Sequence, residues 1–343
     1  MSKWVLALLL AVFIGAEYER PVPVHGATPL EQVDNILLIG WDGAQREHVM
    51  DMLAAGRLPE LERLGAEGAL VEIDIDERTD TKAGWTQILT GYNAGVTGVF
   101  SNGDYQPIPV GYTVFERLEG VYGSKNIATC AVIGKRDHIG VAGPQLYELD
   151  EQGLPVGVKL IKQAKKLLNT GHKVIRDGAE WLYVPGEPYH YTQHRMDLFE
   201  NDLKKNDAVG ERALELLRQH AGERFFFFVH LAEVDTKGHG FGENSAEYEA
   251  ALENSDYWLG RLRNELTALG IDERTLVCVT ADHGFDEGMR QHKDAPYVFM
   301  AMNDSRLTKK GMRRDVTPTL LDVLGVDLGQ FDPPLDGVSL LGK

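Results

Sequence analysis

Cysteine is scarce in this 343-residue chain, which has only Cys130 and Cys278. Both cysteines lie in apolar runs, IATCAVIG and TLVCVTAD, that are typical of buried strands. A disulfide framework is therefore not indicated, and we expect two buried free thiols.

Basic residues are also fewer than acidic ones. The chain has 35 Lys and Arg and 52 Asp and Glu, which give a formal net charge of −17. Such a surface repels nucleic-acid backbones and acidic lipid headgroups, so a nucleic-acid polymer is not an expected partner. Any anionic substrate would require this field to be reversed locally.

Long hydrophobic runs are missing except near the start, where Lys3 precedes an apolar stretch from Trp4 to Ala16. That stretch is short for a bilayer span and has the length of a signal-peptide core. We expect residues 1–29 to be a signal peptide and linker and the protein to be secreted or periplasmic. An uncleaved N-terminal anchor remains open.

The rest of the composition, with 43% hydrophobic and 25% charged residues, is that of a soluble globular protein. Apolar and amphipathic segments alternate from Asn35 onward, which predicts βαβ units and an α/β fold with a mostly parallel central sheet between helices. Residues 30–343 are predicted to form the main domain, with residues 138–198 as a small inserted cap region. The predicted strands are Ile36–Trp41, Ala69–Ile75, Ile127–Ile133, Arg224–Leu231, Arg274–Thr280 and Tyr297–Met302. The predicted helices are Ala44–Ala55, Pro59–Gly68, Ala83–Leu89, Val158–Leu168, Leu198–Gln219, Ala246–Leu269 and Asp315–Leu324.

Polar side chains that can bind metals follow several of these strands. Asp42 comes directly after ILLIGW, Asp235 and His239 follow FFFFVHLAEV, and Asp282 and His283 follow LVCVTA. His292 lies a few residues later. Ligands of open α/β sheets bind beyond the carboxyl ends of the strands, so these side chains are predicted to share one site.

Thr81 begins the segment TKAGWTQILTG and is expected at or near a helix N-terminus, where backbone N–H groups and the helix dipole favour an anion. A threonine hydroxyl becomes a useful nucleophile only when a base or a metal removes its proton. An ordinary N-cap role is an equally good interpretation of Thr81 from local sequence.

Together these pieces resemble the alkaline phosphatase superfamily, and most closely its branch of type I phosphodiesterases and nucleotide pyrophosphatases. The resemblance rests on the order of the strand with Asp42, the segment from Thr81 to Asn102, DTKGHG from Asp235, ADHG from Ala281, and His292. It implies an alkaline phosphatase-like domain with Thr81 as the nucleophile and Asn102 as a phosphate-binding residue. It also implies two metals, one held by Asp235, His239 and His292, and the other by Asp42, Asp282, His283 and Thr81.

The donor types suit two divalent ions, with zinc preferred because imidazole nitrogen is a good zinc ligand. Two ions about 3.5–4 Å apart can stabilise both the entering and the leaving oxygen of an in-line displacement. We therefore expect a metal-dependent hydrolase that acts on a small phosphorylated substrate through a phosphothreonine on Thr81.

Sulfatases share this fold, and GKRDHIG is similar to their Gly-Lys-Trp-His-Leu-Gly element, so Lys135 and His138 are candidate substrate-binding residues. The formylglycine motif is absent, since a sulfatase needs Cys or Ser where Thr81 stands, followed by Pro and Arg where Ala83 and Trp85 stand. A phosphotransferase, a phosphonate hydrolase, a sulfatase-like hydrolase and a non-catalytic extracytoplasmic protein with structural metals remain alternatives.

Overall fold

The computed structural model describes residues 29–295 and 297–342. The predicted signal segment lies almost entirely outside them. The described chain is built on an eight-stranded sheet in the order β11-β2-β10-β9-β1-β8-β3-β7. Strand β10 runs antiparallel to both of its neighbours, and the other strand pairs of this sheet are parallel.

All six predicted strands are present, each within one residue of its predicted bounds, and five further strands were not predicted. The strands are β1 Asn35–Trp41, β2 Ala69–Asp74, β3 Ala128–Ile133, β4 Gln145–Glu148, β5 His172–Arg176, β6 Ala179–Val184, β7 Leu198–Glu200, β8 Phe225–Leu231, β9 Thr275–Thr280, β10 Tyr297–Met302 and β11 Gly311–Met312.

The helices connect and cover these strands. They are α1 Arg46–Ala54, α2 Pro59–Glu67, α3 Thr81–Thr90, α4 Ala94–Thr97, α5 Val114–Tyr122, α6 Ile161–Thr170, α7 Asn206–Gln219, α8 Glu233–Phe241, α9 Ala246–Ala268 and α10 Val316–Val323. The predicted α/β class with a large, mostly parallel central sheet between helices is confirmed.

Strands β1, β8, β3 and β9 form the centre of the sheet, and every residue in them is buried. A parallel strand covered by helices on both faces has no solvent-facing side, so its sequence is apolar throughout rather than alternating. This is why NILLIGW and FFFFVHL contain almost no polar residues, and why the few that do occur are informative.

The predicted helix Leu198–Gln219 is wrong over its first eight residues. Leu198–Glu200 instead form strand β7, which pairs in parallel with β3 at the edge of the sheet, and the helix begins at Asn206. Three residues are too few to show a period, so the local pattern could not separate a short edge strand from the helix behind it.

The predicted insertion contains a second sheet of three antiparallel strands in the order β4-β6-β5. Helix α6 packs against β6. Among the described residues, no helix is both long and apolar enough to cross a membrane.

Candidate metal and nucleophile site

Four neighbouring strands deliver polar side chains to one edge of the main sheet. Strands β3, β8, β1 and β9 are parallel, so their carboxyl ends lie together. Lys135 follows β3, Asp235 lies in α8 after β8, Asp42 follows β1, and Asp282 follows β9. The predicted convergence of these residues is present in the structure.

Six of the predicted ligands form two compact groups. In each group one donor atom from every residue lies within 4.8 Å of the others. The first group is Asp235, His239 and His292, and the second is Asp42, Asp282 and His283.

The first group is arranged around one oxygen of Asp235. Its Oδ1 lies 3.3 Å from Nε2 of His239 and 3.9 Å from Nε2 of His292, and these two Nε2 atoms are 3.2 Å apart. Nδ1 of His239 donates to the carbonyl of Arg290 at 2.8 Å, which turns Nε2 towards the group. An outer hydrogen bond of this kind is typical of a histidine that binds a metal. The hydrogen bond with Asp235 raises the pKa of His239, so a metal ion at this group would compete with a proton for Nε2.

The second group is fully buried. His283 donates from Nδ1 to the carbonyl of Gly284 at 2.9 Å, which directs its Nε2 lone pair towards Asp42 and Asp282 at 3.6 and 3.5 Å. Asp282 is held by the backbone N–H of Gly43, which donates to Oδ1 at 3.2 Å.

Two buried carboxylate oxygens in these groups, Asp235 Oδ1 and Asp282 Oδ2, have no hydrogen-bond partner of good geometry among the described residues. Burial and the nearby charge of Asp42 raise the pKa of Asp282 well above its ordinary value. Burial, together with the neighbouring ring of His292, lowers the pKa of His283 to about 3 and keeps it neutral. Unsatisfied buried oxygens beside neutral imidazoles are the environment that a divalent cation would complete, so the donor set fits two metal ions.

Thr81 lies between these groups, with its Oγ1 3.1 Å from Nε2 of His283 and 3.5 Å from Nζ of Lys135. It is the first residue of α3, and Asp80 occupies the N-cap position, so the N-cap interpretation of Thr81 does not hold. Helix α3 approaches closely because Gly84 has no side chain: a Cβ there would lie 2.8 Å from Asp282.

Asn102 is fixed beside the start of α3. Its backbone N–H donates to Asp80 at 3.0 Å, and its side-chain Oδ1 accepts from the backbone N–H of Lys82 at 3.0 Å. The amide Nδ2 of Asn102 is thereby left to donate elsewhere. Because Lys82 directly follows Thr81, the side chain of Asn102 is held one residue away from the Thr81 hydroxyl.

Lys135 joins the two groups. Its Nζ lies 2.7 Å from Asp42 Oδ1 and 2.7 Å from Asp235 Oδ2. Burial alone would lower the pKa of Lys135, but the carboxylates of Asp235 and Asp42 outweigh it and raise the pKa. The ammonium is therefore charged, and a metal ion at either group would compete with it for these carboxylates.

His138 lies on the same loop and makes no hydrogen bond with any described residue. Burial, reinforced by the charge of Lys135, lowers the pKa of His138 to about 4, so the ring is neutral at neutral pH. A neutral imidazole can still donate one N–H to a substrate oxygen.

His230 is a site residue that sequence reasoning missed. Its buried Nε2 lies 2.8 Å from Asp42 Oδ2, and the indole of Trp85 lies edge-on to its ring. Burial lowers the pKa of His230, so the neutral ring donates from Nε2 and orients Asp42. The available signal was a single polar residue in FFFFVHL, a strand that has no solvent-facing side.

Glu187 was also missed, and it connects the inserted segment to helix α3. Its carboxylate pairs with the ammonium of Lys82, the residue after Thr81, and accepts from the hydroxyl of Tyr105 at 3.2 Å. Lys82 also donates to the carbonyl of Asp137, next to His138. No sequence pattern pairs two residues that are so far apart in the chain.

Several known proteins are similar to this chain. Among curated proteins, a 2,3-bisphosphoglycerate-independent phosphoglycerate mutase of Clostridium kluyveri is 25% identical over 138 residues, which are 37% of this chain and 26% of the mutase. Ectonucleotide pyrophosphatase/phosphodiesterase family member 1 of Rattus norvegicus is 36% identical over 76 residues, or 22% of this chain and 8% of that protein. The matches thus span about a quarter or less of these relatives.

A solved structure of a protein in the alkaline phosphatase superfamily from Vibrio parahaemolyticus shares the fold with a TM-score of 0.53 at 14% identity. The superposition covers 92% of this chain and 71% of that one. Residues 36–326 match the family model of type I phosphodiesterases and nucleotide pyrophosphatases. That match includes β1, α3 and both metal-competent groups, and the chain belongs to the type I phosphodiesterase/nucleotide pyrophosphatase family.

Proposed function

We propose that this protein is a two-metal hydrolase of phosphoric esters that acts through Thr81. The observation that carries the proposal is the position of the Thr81 hydroxyl at the start of α3, 3.1 Å from His283 and 3.5 Å from Lys135. A buried hydroxyl beside two groups of metal ligands is placed for covalent attack on phosphorus.

Asp235, His239 and His292 would hold one cation, and Asp42, Asp282 and His283 the other, with Thr81 as an additional ligand. When bound, two divalent ions, most plausibly zinc, would lower the pKa of the Thr81 hydroxyl and neutralise charge on the oxygens around phosphorus.

The chain's own residues then carry the reaction in two steps. Thr81 Oγ1 releases its proton to solvent and forms a bond to phosphorus, while the ester oxygen of the leaving group departs with its bonding pair and takes up a proton from solvent. Water next attacks the phosphothreonine, and the threonine oxygen leaves and regains a proton. Asn102 Nδ2 and the Lys135 ammonium would bind the non-bridging oxygens, and His138 would donate a further hydrogen bond.

Charge limits the substrate to a small phosphorylated molecule. Two divalent ions bring four positive charges to three carboxylates, and Lys135 adds a fifth, so the field at the site is reversed. The chain as a whole has a net charge of −17, which disfavours an extended polyanion as the substrate. A secreted or periplasmic location and a possible N-terminal anchor remain part of the proposal.

Lys135 is also the reason to test neighbouring chemistries. An ammonium beside the nucleophile can bind the oxygens of a phosphonate or a sulfate as well as those of a phosphate, and an alcohol can replace water in the second step. A phosphonate hydrolase, a sulfatase-like hydrolase and a phosphotransferase are therefore the competing enzymatic functions, and a binding protein with structural metals is the non-enzymatic one.

The test is a rate comparison across aryl phosphate monoesters, bis-p-nitrophenyl phosphate, aryl phosphonate esters and aryl sulfates with zinc-loaded protein. We expect one of the phosphate esters to be turned over fastest and turnover to stop with a chelator and return with zinc. Fastest turnover of a sulfate or phosphonate would redirect the assignment, and no turnover of any substrate at full metal content would favour the binding protein. Product analysis with added alcohol identifies a transferase.

A further inference from the structure

The segment 159–176 has a charge opposite to that of the chain. It contains six Lys or Arg residues and no Asp or Glu, in a protein with a net charge of −17. The six are Lys159, Lys162, Lys165, Lys166, Lys173 and Arg176. Lys173 and Arg176 pair with Glu180 and Asp177, so the uncompensated positive charge lies towards the start of the segment.

Half of this charge lies on helix α6, and Lys159 comes two residues before it. Ala164 is buried and Leu167 and Leu168 are half-buried, so this apolar stripe faces the small sheet. The lysines at positions 159, 162, 165 and 166 are exposed on the remaining surface. Among the described residues, Lys159, Lys162 and Lys165 have no ion-pair partner.

Large apolar side chains are exposed in the same segment. Ile175 is 72% exposed and Leu160 and Ile161 are each 67% exposed, which are the highest values for large hydrophobic side chains in the described part of the chain. Val156, at 51%, adds to them. These side chains lie close in sequence to the exposed lysines, and a cluster of exposed apolar side chains is a feature of interaction surfaces.

The basic helix is tied to the rim of the candidate site. Lys166 pairs with the carboxylate of Asp137 at 3.3 Å, and the carbonyl of Asp137 accepts from Lys82, which follows Thr81. Helix α6 is therefore connected to the start of α3 through the loop that carries Asp137.

We propose that residues 156–176 form an interfacial surface that binds anionic lipid bilayers. The lysines attract an acidic leaflet, and Leu160, Ile161 and Ile175 enter the boundary between headgroups and acyl chains. Helices that lie on membranes use basic and apolar side chains in these two ways. An anionic polysaccharide or nucleic acid would use the lysines but would leave these apolar side chains in water. The combination therefore favours a bilayer.

The experiment is co-sedimentation of the purified metal-loaded protein with vesicles of phosphatidylcholine and phosphatidylglycerol at about seven to three, and with pure phosphatidylcholine. We expect stronger binding to the anionic vesicles. The double variant Lys162→Glu/Lys165→Glu should weaken it at least about tenfold. A matched reversal of the exposed Lys125 and Lys204 to Glu changes net charge equally and should have little effect.

Insertion is tested separately with Ile161→Cys carrying an environment-sensitive fluorophore, compared with Val338→Cys. A blue shift at position 161 alone on anionic vesicles supports the proposal. Equal binding by both charge variants, no shift at position 161, or retention on heparin without vesicle binding would overturn it. Turnover of a soluble aryl ester should stay unchanged in the lysine variants, so this result and the proposed activity are judged independently.

Discussion

The carboxyl edge of the main sheet and the inserted segment, residues 138–198, differ sharply in burial. At the sheet edge, Asp42, Asp282 and His283 are fully buried, and each is oriented by further contacts. In the insertion, α6 and β5 are largely exposed, and Ile175 is 72% exposed. Chemistry at phosphorus needs groups held by a rigid framework, whereas a surface that meets other molecules can vary without disturbing that framework.

Removing a predicted metal ligand at the sheet edge should have the largest effect. Asp282→Ala leaves the second group without one of its two carboxylates and should lower kcat by about 10²–10³ or more. Ile175→Ser in the insertion should leave turnover of a soluble aryl ester unchanged. Both variants are compared by steady-state rate and by metal content per chain. A similar loss of turnover in the two variants would show that the sheet edge and the insertion do not differ in their importance for turnover.

His230 tests whether orientation of the ligands matters as well as their presence. His230→Leu removes the hydrogen bond to Asp42 and should lower metal affinity or activity about 10–100-fold. His230→Gln, whose amide nitrogen can reach the place of Nε2, should recover part of this loss. If the Gln and Leu variants behave alike in zinc titration and in rate, His230 has only a packing role.

The ion pair of Lys82 and Glu187 joins the two regions and should affect stability. Glu187→Gln leaves the buried Lys82 ammonium with a neutral partner and should reduce the free energy of unfolding by about 3 kcal/mol. Glu180→Gln breaks the exposed pair with Lys173 and should cost less than about 1 kcal/mol. Urea unfolding of the two variants provides the comparison, and equal costs would show that the contact is as weak as a surface pair.

The smallest effect is expected for chemical labelling of the two buried cysteines in the folded protein. Burial raises the pKa of Cys130 to about 12 and that of Cys278 above its ordinary range. Since the thiolate is the reactive form, neither should react with iodoacetamide at pH 8 until the protein unfolds. An added Ile175→Cys thiol should react readily in the native state, as mass spectrometry would show. Native labelling of Cys278 would contradict the packing of the sheet.

The predicted site was accessible from sequence for a physical reason. Parallel strands bring their carboxyl ends together, so Asp42, Asp235, Asp282 and His283 could be assigned to one edge from their positions after apolar runs. The same rule does not report contacts between distant side chains. Three contacts could therefore be found only in the structure. They are the bridging position of Lys135, the hydrogen bond from His230 to Asp42, and the ion pair of Lys82 with Glu187.

The bounds of a strand could be predicted from the sequence only where the strand's own residues show that it is buried. Buried strands such as Phe225–Leu231 are recognised by continuous apolarity, and β8 lies within one residue of the prediction. Strand β7 exists only because β3 offers it a partner, which is information that Leu198–Glu200 do not contain.

Covalent catalysis by Thr81 at a metal-filled site is decided by the turnover of Thr81→Ala, with the metal content determined on the same sample. The account predicts that turnover is abolished while metal content stays near two ions per chain. Thr81→Ser should keep measurable activity because it retains a hydroxyl, and Thr86→Val, buried in the same helix, should remain active. Undiminished turnover in Thr81→Ala at full metal loading would contradict the account.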